Sequence, residues 1–122
     1  MGTSVKTFRD LKIWQQGIAI VKDIYQLSRR FPKEEMYGLT SQMRRAAISI
    51  PSNVAEGFKR NSEKEYRKFL FVALGSAAEL ETQVIISNEL NYIGNSELAR
   101  VCTKLDSLSK MIYRLISRFN IN

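Results

Sequence analysis

A chain of 122 residues, 44% hydrophobic and 25% charged, has the size and composition of one globular domain with a single core. Its Lys and Arg number 19 against 12 Asp and Glu, a net charge of +7 that attracts polyanions: nucleic acid, an acidic membrane or an acidic partner. Without histidine and with one cysteine, Cys102, the chain excludes Ser-His and Cys-His nucleophile pairs, internal disulfides, Cys/His zinc sites and Glu-x-x-His di-iron sites.

The N-terminus lacks the apolar core of a secretory signal, and no run of about 18 apolar residues suggests a membrane span. The expectation is a cytoplasmic protein with no membrane partner. Residues 1–7 read as a flexible N-terminus, and 8–122 as one domain. The first helix should start near Phe8 or Asp10 and run to about Phe31, where Pro32 ends it. Leu11, Trp14, Ile18, Val21 and Tyr25 form one apolar row, and Ile13, Ile20, Ile24, Leu27 and Phe31 form a second beside it. That arc is wider than one bundle seam needs, so part of it is a candidate subunit contact.

The second helix should begin between Glu34 and Thr40. Leu39, Met43, Ala46, Ala47, Ile50 and Val54 recur at helical spacing, yet Pro51 sits among them and removes a backbone donor, at a cost of about 3 kcal/mol. Ser49, Ser52 and Asn53 offer polar side chains to freed backbone groups. A kink near Pro51 and a left-handed cap at Gly57 are expected. Ser62 and Glu65 form a capping box for a third helix from Glu63 to about Leu90, with small residues (Ala73, Gly75, Ser76, Ala77, Ala78) at its centre. Asn91 to Gly94 is the next turn, with Gly94 a candidate cap. Asn95 or Ser96 should cap a fourth helix whose buried row is Leu98, Val101 or Cys102, Leu105, Leu108, Ile112, Leu115 and Phe119. On that row Cys102 is a packing residue. Connections of about 4 to 8 residues make neighbours antiparallel, so the fold class is all-α: an up-down-up-down antiparallel four-helix bundle with a kinked second helix.

The stretch Arg44-Arg45-Ala46-Ala47-Ile48-Ser49-Ile50-Pro51-Ser52-Asn53-Val54-Ala55-Glu56-Gly57 resembles the signature of the 23S rRNA intervening-sequence proteins. Phe8 to Gln15 is similar to that family's opening, and Phe69-Leu70 with Gly75 to Thr82 to its third-helix pattern. The resemblance spans roughly Phe8 to Phe119. It implies a four-helix bundle and, by likeness to the accessory protein of diversity-generating retroelements, a homopentamer that contacts nucleic acid and a protein partner. The matching positions, Leu11, Trp14, Arg44, Arg45, Ser49, Pro51, Asn53, Glu56, Gly57, Gly75, Ser76, Glu79 and Leu80, are structural. The family is named for where some of its genes lie and carries no reaction with it.

Two groups of charged residues are candidate sites. Lys59, Arg60, Lys64, Arg67 and Lys68 cluster at the turn between the second and third helices, and the last three share a helix face. Aromatics do not alternate with them as base-stacking platforms would, so phosphate contact with RNA or DNA is the expected mode. Arg44 and Arg45 lie at the height of Glu79 and Glu81 in an antiparallel pair, and Glu56 is a further carboxylate within reach; a bundle-internal ion pair is expected among these five. With no catalytic constellation, metal cluster or Gly-rich phosphate loop, the sequence reads as a non-enzymatic, cofactor-free, oligomeric protein. It either binds nucleic acid or acts as a scaffold for a protein partner.

Overall fold

Thr7 brings the chain into the fold: its Oγ1 accepts the Arg9 N–H at 2.9 Å, while the Asp10 carboxylate accepts from the Lys6 and Thr7 amides at 3.0 and 3.1 Å. The computed structural model describes residues 5–119; of the segment expected to be flexible, 1–4 lie outside that range, and Lys6 and Thr7 are already tied down. One short turn of 3-10 helix, Phe8–Asp10, precedes α1, Lys12–Ser28; a second, Lys33–Glu35, precedes α2, Leu39–Lys59. Then come α3, Glu63–Glu89, and α4, Asn95–Ile116. The expected first helix is therefore interrupted at Leu11, which is extended (φ −75°, ψ 127°), and its last turn stops before Phe31. No strand occurs among the described residues, and the fold is all-α.

The apolar rows pack as their spacing dictates. Ile20, Ile24, Met43, Ile50, Leu70, Leu80, Leu105, Leu108 and Ile112 are the largest fully buried side chains. Each side chain of this size is worth roughly 1.5–3 kcal/mol when removed from water. Contacts between neighbours run antiparallel. Arg44 meets Ser28 while Pro51 meets Gly17; Met43 meets Ser87 while Ser49 meets Ser76; Glu97 meets Arg30 while Lys104 meets Asp23. One end of the bundle thus gathers the start of α1, the end of α2, the start of α3 and the end of α4.

α2 runs unbroken through Pro51, which is buried. A Cβ on Gly17 would stand 3.2 Å from the Pro51 Cβ, so the glycine in α1 makes room for the proline in α2. Asn53 Nδ2 donates to the Ser49 carbonyl and hydroxyl at 2.8 and 2.9 Å, whereas Ser52 is exposed. Gly57 is not a left-handed cap: no described glycine has positive φ, and the helix continues to Lys59. Its reason is packing, because a Cβ there would lie 2.8 Å from Phe69 Cβ and 3.0 Å from Tyr66 Cδ1. The left-handed residue in the α3–α4 turn is Asn91 (φ 64°) rather than Gly94. Gly94 is instead the N-cap of α4, its amide donating to Glu97 Oε1 at 3.1 Å, and the expected cap Asn95 accepts from Asn88 Nδ2.

α3 differs from the sequence expectation in one respect. By length and composition it is long and apolar enough to cross a membrane. The physical reason is that it is apolar on two faces: the inner one is core, and the outer one carries Phe71, Val72, Ile85 and Ile86 in solvent.

Candidate nucleic-acid interface

The antiparallel order turns scattered charges into one basic end. Lys6, Arg9 and Lys12 lead into α1, Lys59 and Arg60 close α2, Lys64, Arg67 and Lys68 open α3, and Arg114 and Arg118 lie at the close of α4. These ten are faced by four carboxylates, Asp10, Glu56, Glu63 and Glu65, so most of the net +7 sits at this end. Sequence reasoning found the five cations around the α2–α3 turn and missed those of α1 and α4. The signal was available, since alternate helix termini share an end once the order is up-down-up-down.

Of the five expected residues, Lys59, Lys64 and Lys68 are exposed and make no ion pair within 4.0 Å among the described residues. Arg60 pairs with Glu56 at 2.9 Å and lies 4.8 Å over the Phe69 ring. Arg67 lies 5.1 Å over the Phe71 ring. The aromatics at this end are therefore interleaved with cations after all, but as platforms for the protein's own guanidinium groups, which hold the two arginines in place. An exposed pair such as Glu56–Arg60 contributes about 0–1 kcal/mol. Tyr66 stands behind them, between Phe58 and Phe119 (ring centroids 6.1 and 5.2 Å away), and burial pushes its hydroxyl up to about 12. On the other side of the same end, Lys12, Arg114 and Arg118 line a cavity of about 260 Å³ floored by Leu11, Ile13, Met111 and Leu115.

The internal ion pair expected of Arg44, Arg45, Glu56, Glu79 and Glu81 does not form. Arg44 turns to α1, where its Nε donates to Ser28 Oγ at 2.9 Å and its guanidinium lies 4.5 Å over the Tyr25 ring. Arg45 is exposed and borders a surface depression with Glu79, without an ion pair. The reason is rotational: Ser76, Ala77, Leu80, Gln83 and Val84 are the α3 residues turned inward, so Glu79 and Glu81 at similar height point to water. The polar contact between mid-α2 and mid-α3 is instead Ser49 Oγ to Ser76 Oγ at 2.8 Å. Glu56 spends its charge on Arg60.

Away from the basic end, α1 and α4 are joined by ion pairs. Asp23 takes Lys104 at 2.6 Å and Arg100 at 3.8 Å, and Arg30 takes Glu97. The Gly94 amide, and then Arg30, hold the Glu97 carboxyl below its ordinary range. Tyr92 donates to Glu35 at 2.8 Å, which pushes its hydroxyl up. Cys102 is only partly buried; burial and then Glu81 push its thiol up, which disfavours the reactive thiolate. No three His, Cys, Asp or Glu side chains converge among the described residues.

Fold and charge together define a four-helix bundle whose excess of positive charge is gathered at one end. The family description "23S rRNA-intervening sequence protein" matches residues 9–114, and the chain belongs to that family. A crystal structure of a protein of unknown function from the S23 ribosomal protein family of Bacteroides thetaiotaomicron is similar, with a TM-score of 0.80 at 19% identity. The likeness covers 86% of this chain and 95% of that one, and shows the fold. No curated protein matches the chain at a significant level.

Proposed function

We propose that this protein is a non-enzymatic homo-oligomer that binds nucleic acid through its phosphates at the basic end. The observation that carries the reading is the concentration there of cations the fold leaves unpaired: Lys59, Lys64 and Lys68, beside Arg60 and Arg67 held over phenylalanine rings. Lysines supply point charges and the stacked arginines supply planar donors suited to phosphate. With the nearby rings covered by guanidinium groups, little is left to stack on bases, so sequence preference should be weak. Each phosphate neutralised steepens the fall of log affinity against log salt by about 0.9 for duplex DNA.

The test is a salt titration of duplex and single-stranded RNA and DNA against the protein and a variant with Lys59, Arg60, Lys64, Arg67 and Lys68 changed to Gln. Weaker binding with a shallower slope is expected. An unchanged slope moves the site elsewhere. A second reading, an oligomeric scaffold for a protein partner, is favoured by the exposed apolar face of α3, and absence of binding even at low salt would leave that reading standing.

A further inference from the structure

Where α1 begins and α4 ends, the bundle is not closed. Between the two lies the cavity of about 260 Å³ whose floor is Leu11, Ile13, Met111 and Leu115 and whose rim is Lys12, Arg114 and Arg118. The floor residues are buried or half-buried, and the rim residues are exposed. None of the three cations makes an ion pair within 4.0 Å among the described residues. Asp10, two residues before Lys12, accepts from the Lys6 and Thr7 amides instead. α1 opens at this cavity without a side-chain cap or an acidic residue in its first turn, so its dipole adds to the positive potential of the rim.

The two other cavities on the α1–α4 seam lack this combination. One, of about 340 Å³, brings Arg30 and Arg100 to Glu97 and Asp23, which neutralise them. The other, of about 370 Å³, has Lys104 as its single charge, already bonded to Asp23. Only the first joins an apolar floor to free cations.

Size and lining narrow the occupant. A cavity of about 150 Å³ takes a benzene, whereas drug-sized ligands fill about 300–1,000 Å³. The space here suits one ring or a short chain carrying one acid group. A backbone phosphate of nucleic acid would use the rim alone and leave four apolar side chains without a role. No aromatic ring lines the cavity, so it offers a base no stacking platform. Met111, unbranched and half-buried, lets the floor fit bodies of different outline. Three free cations suit a dianion with three acceptor oxygens better than a carboxylate with two.

We infer that this cavity is a binding site for a small phosphomonoester, with the phosphate held at the rim by Lys12, Arg114 and Arg118 and an apolar body lying on the floor. The inference is independent of nucleic-acid binding by the cations of the α2–α3 turn.

The experiment titrates phenyl phosphate, benzoate, inorganic phosphate and benzyl alcohol into the protein. Calorimetry gives the affinities, and the Met111 methyl resonance reports whether the ligand reaches the floor. Phenyl phosphate should bind most tightly and shift that resonance. Arg114→Gln with Arg118→Gln, both exposed positions, should weaken it about tenfold or more. The variant with Lys59, Arg60, Lys64, Arg67 and Lys68 changed to Gln should bind it as the unaltered protein does, whether or not nucleic acid binds there. Inorganic phosphate binding as tightly as phenyl phosphate would leave the floor without a part and overturn the inference. Benzyl alcohol or benzoate binding as tightly would remove the rim's preference for phosphate, with the same result. So would an unmoved Met111 resonance, or an unchanged affinity in the Arg114, Arg118 variant.

Discussion

Two glycines in the same bundle should respond to one methyl group with opposite signs. At Gly57 the added Cβ would sit 2.8 Å from Phe69 Cβ and 3.3 Å from the Tyr66 carbonyl oxygen. Neither is the free end of a flexible chain, so α2 and α3 must separate. Overpacking of this kind costs about 1–3 kcal/mol, against a helix-propensity gain of roughly 1 kcal/mol for alanine. Gly57→Ala should therefore destabilise by up to about 2 kcal/mol. At Gly75 nothing lies within 4 Å, and only the propensity gain remains, so Gly75→Ala should stabilise the chain by roughly 0.5–1 kcal/mol. Urea denaturation, at concentrations where scattering reports monomers, gives both values from shifts in midpoint at constant slope. A Gly57→Ala protein stabilised to the same degree as Gly75→Ala would refute the packing account of this glycine.

Two further outcomes test the polar contacts. Replacing Arg44 by Ala should cost about 1–2 kcal/mol, from the bond to Ser28 and the stack on Tyr25, and Arg44→Lys should recover little of it because ammonium cannot do both. Thermal melts check this, and equal stability of the lysine and arginine proteins would show that charge alone matters. Tyr66, whose hydroxyl is pushed up to about 12 from 10.0, keeps its neutral form in the fold beyond the pH at which the unfolded chain ionises. Its contribution is thus fully present below pH 10 and is lost as pH rises toward 12, a loss of no more than about 2 kcal/mol after allowing for its solvent exposure. Comparison with Tyr66→Phe in alkaline melts isolates it; parallel pH profiles for the two proteins would contradict the assignment.

Periodicity made the core legible. The second row of α1 is buried, as are Met43, Ala46, Ala47, Ile50 and Val54 of α2 and Val101, Leu105, Leu108 and Ile112 of α4, while Leu39, Leu98, Leu115 and Phe119 are half-buried; of the expected capping box, Ser62 accepts the Glu65 amide. Height along an antiparallel pair was legible too, but facing was not. Arg44 and Glu79 lie near the same level, and rotation about each helix axis sends one to α1 and the other to water. The same limit hid the exposed apolar surface of α3. Leu11, Trp14 and Val21 of the α1 row expected as a candidate subunit contact pack, half-buried, against the core, while α3 is apolar on two faces and its period cannot say which is covered. Glycine posed a related ambiguity: Gly57 followed by a turn reads equally as a cap or as a contact, and the φ angles decide for contact.

Two features of this chain have no use inside it, and both carry a cost. Lys64 and Lys68, one helical turn apart on α3, repel each other by a few tenths of a kcal/mol. They sit among other cations whose mutual repulsion disfavours the compact state. Elsewhere the fold discharges such strain by pairing, as Asp23 does with Lys104 and Glu97 with Arg30, whereas at the basic end Arg60 pairs with Glu56 and Lys59, Lys64 and Lys68 are left without an ion pair among the described residues. The ridge of Phe71, Val72, Ile85 and Ile86 on the outer face of α3 is the apolar counterpart: exposed isoleucines gain nothing from water, and Gly75 weakens the helix that carries it. On the proposed reading the charged end suits a polyanion, and an exposed apolar face of this kind suits a protein surface. The two adjoin on α3, where the half-exposed Phe71 ring that begins the ridge also carries the Arg67 guanidinium.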